Sequence, residues 1–105
     1  MILDIFLKIG FRFFSYDEPG AGKAYEYKYY PDYLDDKHYT LIVFKVYYSE
    51  SLDWRLYVHN TDGSFNDSIF QISDGCESNI NFIYNKIYKT FVLEMRDIKL
   101  QELGL

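Results

Sequence analysis

The sequence predicts an α+β fold in which an antiparallel meander of about five strands packs against one main helix in the C-terminal half. Apolar residues alternate with other residues over several short segments, which is typical of strands with one buried face. Turn-forming residues separate these segments, and one segment after residue 73 shows helical spacing instead. At 105 residues, a single domain spanning residues 1–105 is expected, because this length supports one core.

The first predicted strand runs from Leu3 to Phe13, where apolar residues occupy alternate positions. The weaker alternative is a helix with its apolar stripe through Ile2, Ile5, Ile9 and Phe13. Turn-forming residues at Asp17–Lys23 end this pattern.

Two further strands are predicted in the next segment. The strand from Ala24 to Tyr30 has three tyrosines on one face, and burial is expected for at least two of them. They are Tyr25, Tyr27 and Tyr29. After a connection over Pro31–Lys37, the strand from Tyr39 to Tyr48 is apolar on both faces, which is typical of a central strand covered on both sides.

A hairpin is predicted after the central strand. The alternation is clear in the strand that follows, where Trp54, Leu56 and Val58 point one way and Arg55, Tyr57 and His59 the other. The Asp62-Gly63 pair is a strong hairpin signal because glycine accepts positive φ angles. A strand from about Phe65 to Ile72 is therefore expected to pair back.

The main helix is predicted to begin at Asp74. Asp74 and Glu77 have the spacing of a capping box, and apolar residues then recur at helical spacing at Ile80, Ile83, Tyr84, Ile87 and Phe91. Beyond Thr90 the pattern fits both a strand and a continued helix. Because a helix from Asp74 to Glu102 would be long, a helix ending near Lys89 and a short final strand are predicted.

The net charge of −5 is concentrated in the middle third of the chain. Residues 1–46 carry seven acids and six bases, and residues 80–105 carry three acids and four bases. Residues 47–79, in contrast, carry six acids and one base, Arg55. Nucleic acids and anionic membranes are bound through clustered Lys and Arg. Neither is therefore expected as a partner, whereas a basic protein is.

Few residues are available for catalysis. Pro19–Ala24 resembles the end of a phosphate-binding loop but lacks its earlier glycine and its hydroxyl residue. The acids of Pro31–Lys37 share only composition with metal-dependent nuclease sites, because all of them lie in one connection. The neutral-pH bases and thiol are His38, His59 and Cys76, which lack metal-ligand spacing. We expect no catalytic residues, no metal and no cofactor, and hence no enzyme.

The chain is expected to be cytoplasmic. Its lone cysteine, Cys76, cannot form an internal disulfide, which fits a reducing compartment. No stretch approaches the roughly 20 apolar residues of a membrane span. Asp4 stands where a secretory signal would carry basic residues.

Three functional hypotheses are consistent with these observations. The favoured one is a small acidic inhibitor that sterically blocks a basic protein, such as a nucleic-acid-binding effector or a nuclease. This class includes phage-encoded anti-CRISPR proteins and toxin-neutralising immunity proteins. The alternatives are a small-molecule or carbohydrate-binding module with stacked tyrosines and a structural subunit of a homo-oligomer such as a homodimer.

The residues predicted to contact the partner combine acids, which steer a cationic protein, with tyrosines, which are large and rigid anchors. They are Glu50, Asp53, Asp62, Asp67, Asp74, Tyr47, Tyr48 and Tyr57. Consecutive hairpin loops lie at opposite ends of a sheet, so the sequence leaves open whether these acids form one patch. The alternative is that they are solvated residues that keep the protein soluble.

Overall fold

The structure is a computed structural model that describes residues 2–18, 20–48, 52–60, 66–73, 77–102 and 104. Within these ranges, the side chains of residues 66–68, 70, 72–73 and 77–80 are not described. The elements in chain order are α1 (Ile2–Ile9), β1 (Arg12–Asp17), β2 (Gly22–Tyr29), β3 (Lys37–Val46), β4 (Leu52–Asn60), β5 (Asn66–Ser73), α2 (Glu77–Thr90) and α3 (Val92–Glu102).

The strands form one antiparallel sheet in the order β1-β2-β3-β4-β5. The predicted α+β class is therefore confirmed. Strands β2 to β5 correspond to four predicted strands, and β3 is central as expected. The fifth, β1, falls where the sequence predicted the end of one strand and the start of a turn, so the predicted and observed strands do not match one for one.

The strand predicted from Leu3 to Phe13 is wrong, because most of this segment is helix α1. Ile2, Phe6 and Ile9 lie on one face of α1 and are buried. Gly10 ends the helix with φ of +133°, and the N–H of the residue after it donates to the carbonyl of Phe6 at 3.1 Å, as in glycine-capped helix ends. A Cβ atom at Gly10 would also lie 2.8 Å from the Tyr29 ring.

The final strand predicted beyond Thr90 is also wrong, and the described residues form three helices instead of one main helix. Helical hydrogen bonding continues across the break at Phe91: its N–H donates to Ile87 at 2.9 Å, and its carbonyl accepts from Met95 at 2.8 Å. Phe91 is fully buried. The helical stripe of apolar residues therefore continues to Met95, and the break divides a long run into two helices of ordinary length.

The core lies between the helices and one face of the sheet. The helix layer contributes Phe6, Ile83 and Ile87 together with Phe91 at the break between α2 and α3. The sheet contributes Leu41, Val43, Trp54 and Leu56. Trp54 and Leu56 thus point inward as predicted. Tyr25, Tyr27 and Tyr29 are half-buried against this core, on the face that the sequence assigned to them.

A polar contact joins the β2–β3 connection to α3. The hydroxyls of Tyr29 and Tyr33 both donate to Oε2 of Glu94, at 3.0 and 2.6 Å. Burial and this carboxylate raise the pKa of both tyrosines well above the usual range. Glu94 therefore acts as a clamp between the loop and the helix layer.

Among the described residues, helices pack on only one face of β3, so the expectation that both faces are covered is met in part. Leu41 and Val43 face the helices, whereas on the opposite face Thr40 is buried and Ile42 and Phe44 are half-buried. The shortest dimension of the molecule is 19 Å, which fits one sheet and one helix layer of about 10 Å each. Among the described residues, no helix has the length and apolar character needed to cross a membrane.

Strands β4 and β5 pair as the predicted hairpin. The predicted turn at Asp62-Gly63 lies outside the described residues, as do Asp74 and Cys76 at the predicted helix start. The described part of α2 begins at Glu77.

Candidate interaction surfaces

One face of the sheet carries none of the described helices, and we call it the open face. Residues that pair directly across antiparallel strands share a face, so the register arranges the open face in rows. Starting from the β1–β2 turn, the rows are Asp17, Ala24, Phe44, Asp53; Ser15, Glu26, Ile42, Arg55; Arg12, Lys28, Thr40, Tyr57; and His38, His59.

The charged residues on the open face differ from row to row. The first row has carboxylates at Asp17 and Asp53, about 14 Å apart at the usual strand spacing, with Ala24 and Phe44 between them. The second row contains one acid, Glu26, and one cation, Arg55, and in the third row Lys28 pairs with Arg12 and with Thr40. The face therefore has an acidic edge but is not acidic throughout.

A stack of rings closes the other end of the open face. The ring centres are 4.7 Å apart for Tyr30 and His38, 5.3 Å for His38 and His59, and 5.8 Å for His59 and Tyr57. His38 is 5% exposed, and burial, Lys28 and His59 lower the pKa of its imidazole. His38 is thus neutral at physiological pH, and its Nδ1 has no hydrogen-bond partner among the described residues.

The opposite face has a cleft at the same end of the sheet as the acidic edge. Its volume is about 310 Å³, and we call it the lysine cleft. It is lined by Lys23, Tyr25, Lys45, Val46, Tyr47 and Tyr48. Lys23 and Lys45 pair directly across β2 and β3, and Tyr25, on the same face as Lys23, packs against the edge of the core.

The turn after β3 holds two exposed tyrosines at this cleft. The N–H of Tyr47 donates to the carbonyl of Ala21 at 3.1 Å, which joins the turn to the β1–β2 connection. Tyr48 is fully exposed and has a φ of +65°. A bulky residue with positive φ is uncommon and costs stability, and such strain clusters at functional sites.

Glu18 lies beside the lysine cleft and is held by tyrosines. The hydroxyl of Tyr16 donates to Glu18 Oε1. This hydrogen bond, followed by contributions from Tyr47 and Lys23, lowers the pKa of Glu18, against the opposing effect of burial. The same hydrogen bond raises the pKa of Tyr16. Glu18 is therefore an anion that is already engaged by hydroxyl donors.

A third surface is a shallow groove along the outside of α2 and α3. Its volume is about 360 Å³, and it is lined by Tyr88, Val92, Met95, Arg96, Lys99 and Leu100. Its apolar residues lie beside two cations, Arg96 and Lys99, so this helix groove is a basic surface.

The eight residues predicted to contact a partner do not gather on one surface. Asp53 and Tyr57 lie on the open face, whereas Tyr47 and Tyr48 line the lysine cleft. Asp67 lies in β5 opposite Val58, and its side chain is not described. The other three predicted acids, Glu50, Asp62 and Asp74, lie outside the described residues.

Sequence reasoning missed Asp17, Phe44, Lys23 and Lys45 as surface residues with a common location. Each was visible as an ordinary member of a strand or a turn, but Asp17 meets Asp53 in one row, and Lys23 meets Lys45, only through the register. One signal was available in the sequence: the alternation of Tyr25, Tyr27 and Tyr29, extended back by two residues, places Lys23 on the same face as these tyrosines.

Comparisons with known proteins add no identification. No protein-family model matches the chain, and neither a curated protein nor a solved structure shows significant similarity to it. Any functional conclusion therefore depends on the surfaces themselves.

Proposed function

We propose that the protein is a small acidic inhibitor that covers a basic protein partner with its open face. The observation that carries this proposal is the position of Ile42, Phe44 and Tyr57, which are half-buried on a face without a described helix. Side chains of this kind are typical anchors of protein interfaces. The carboxylates of Asp17 and Asp53 flank Phe44 in the first row.

The open face is large enough for a specific contact. Five strands enclose four gaps of about 4.8 Å, which is about 19 Å, and eight residues rising about 3.3 Å each span about 26 Å, so the face covers on the order of 500 Å². A partner of equal footprint brings the total to about 1,000 Å², the lower limit for a specific protein interface.

The acidic edge favours a basic partner over an acidic one. Net charge of −5 speeds the approach of a cationic protein, and the carboxylates at the edge orient it. The other two surfaces suit such a partner less well, because the described residues that line them include cations and no acid. Nucleases and other nucleic-acid-binding proteins carry clustered cations, so we propose that the partner belongs to this class.

Affinity capture from cells in which the protein naturally occurs tests this proposal. We expect retained proteins to be basic, and the purified partner to bind more weakly as salt rises from about 50 to 300 mM, because the Debye length shortens.

Binding should be lost in a variant carrying Asp17→Lys and Asp53→Lys. The matched control, Asp35→Lys with Asp36→Lys, makes the same change of net charge in the β2–β3 connection and should bind.

Two results contradict the proposal. One is equal loss of binding in both double variants, which would show that binding depends on the net charge of the protein and not on the acids of the open face. The other is a concentration-dependent dimer in sedimentation that Phe44→Ala dissociates, which would assign the open face to a second copy of the chain. Circular dichroism confirms that each variant is folded.

A further inference from the structure

The lysine cleft contains a pair of like charges that folding alone does not explain. Lys23 and Lys45 are direct cross-strand partners on the helix side of the sheet, and like charges at such positions destabilise a sheet. Among the described residues, neither lysine has an ion pair within 4.0 Å. An acid beside the cleft, Glu18, already accepts a hydrogen bond from the Tyr16 hydroxyl at Oε1, and it interacts with Lys23.

The backbone brings the two lysines side by side. Gly22 precedes Lys23, and a Cβ atom there would collide with the carbonyl of Lys45. Strands β2 and β3 therefore approach closely at this end. The hydrogen bond from Tyr47 to Ala21 then fixes the turn that completes the cleft, so the pair is organised before any ligand binds.

Aromatic rings provide the other walls of the cleft. Tyr25 is half-buried, whereas Tyr47 and Tyr48 are exposed, with ring centres 6.5 Å apart. Tyr48, whose backbone has a φ of +65°, also lines the cleft. Tyrosine faces stack on planar rings without requiring one particular ring, and the volume of about 310 Å³ lies within the range of small-ligand sites.

We propose that the lysine cleft binds a phosphate monoester attached to a planar ring. The phosphate lies between Lys23 and Lys45, whose ammonium groups bind phosphate as point charges, and the ring stacks against the tyrosines. A free mononucleotide and a phosphotyrosine side chain share this chemistry. The site lies on the opposite face from the proposed partner surface, so the two proposals can fail independently.

Isothermal titration calorimetry of the full chain tests the site. Adenosine monophosphate is compared with adenosine and with inorganic phosphate, and a phosphotyrosine peptide with its unphosphorylated form. We expect at least one phosphorylated ring ligand to bind about tenfold more tightly than its ring or phosphate alone, since both parts contribute. The phosphorylated ligand that binds more tightly identifies the source.

Variants separate the site from general charge. Lys23→Gln with Lys45→Gln should weaken binding by at least about tenfold, whereas Lys86→Gln with Lys89→Gln, an equal charge change on α2, should not. Tyr48→Ala, at a fully exposed position, should weaken binding without affecting folding. The proposal is overturned if neither ligand binds at about 1 mM, the limit of weak specific binding, or if the cleft variants bind as the wild type does.

Discussion

The two faces of this sheet are built from alternate residues of the same strands, yet they have different surroundings. On β3, Leu41 and Val43 belong to the core, while their neighbours Ile42 and Phe44 are half-buried on the open face. All four are apolar, so hydrophobicity alone does not tell which face the helices cover. Apolar residues on the uncovered face of a sheet therefore serve as the main indication of a docking surface in this protein.

The largest expected effect comes from truncating adjacent residues on opposite faces. Leu41→Ala removes a fully buried side chain and should lower the free energy of unfolding by about 2–5 kcal/mol. Ile42→Ala should lower it by about 1 kcal/mol, because this side chain is only half-buried. Urea denaturation measures both, and equal losses would show that the open face is covered after all.

The Glu94 clamp on the helix side should have an intermediate effect. Glu94→Ala removes the acceptor of Tyr29 and Tyr33 and should lower the free energy of unfolding by about 1–2 kcal/mol. The control is Glu102→Ala on the same helix, whose pair with Lys8 is 3.4 Å long and 59% exposed on both sides. This control should change stability by less than about 0.5 kcal/mol, and a larger loss than in Glu94→Ala would contradict the clamp.

On the open face, His38 should make stability depend on pH. Its folded pKa is lowered by burial, Lys28 and His59, with Glu26 acting in the opposite direction. The unfolded chain therefore binds a proton more readily, and stability falls as pH drops below the unfolded value of about 6.5.

Thermal denaturation between about pH 7.5 and pH 5.5 brackets this titration. Replacing His38 with Phe keeps a ring between Tyr30 and His59 but removes the titrating group. The fall in melting temperature across this range should be smaller in His38→Phe than in the wild type. An equal fall in both proteins would place the titration elsewhere.

The smallest effect is expected at Tyr48, in the turn after β3 beside the lysine cleft. Tyr48→Gly relieves the positive φ of +65° and should raise the free energy of unfolding by between zero and about 1 kcal/mol, since glycine adopts this conformation without steric cost. A clear loss of stability in chemical denaturation would mean that Tyr48 supports the fold instead of a ligand.

The sequence predicted the middle of the fold well and its ends poorly. Alternation located β2 and β4, a run of apolar residues located β3, and the hairpin signal at Asp62-Gly63 located β5. The strand prediction for residues 3–9 was wrong because the apolar residues there fit both the strand period and the helix period. Gly10, which ends the helix, was the signal that favoured a helix. Beyond Thr90, Phe91 and Met95 fitted both patterns, and length was a poor guide because a break divides the helices.

The surfaces were less predictable than the fold, for a physical reason. Charge was counted along the chain, but residues that are neighbours on a sheet come from distant segments. Asp17 joins Asp53 in one row, and Lys23 faces Lys45, only once the register is known. Tyr47 and Tyr48 were chosen for their acidic sequence neighbours, yet their neighbours in space include two lysines.

Hydroxyl-radical footprinting of the complex with the captured basic partner tests the central claim most directly, because it reports which face of the molecule the partner covers. Phe44 and Tyr57, on the open face, should be protected from oxidation, while Tyr88 in the helix groove, 45% exposed in the free protein, should react as before. Protection of Tyr88 with unchanged reactivity of Phe44 and Tyr57 would contradict docking through the open face.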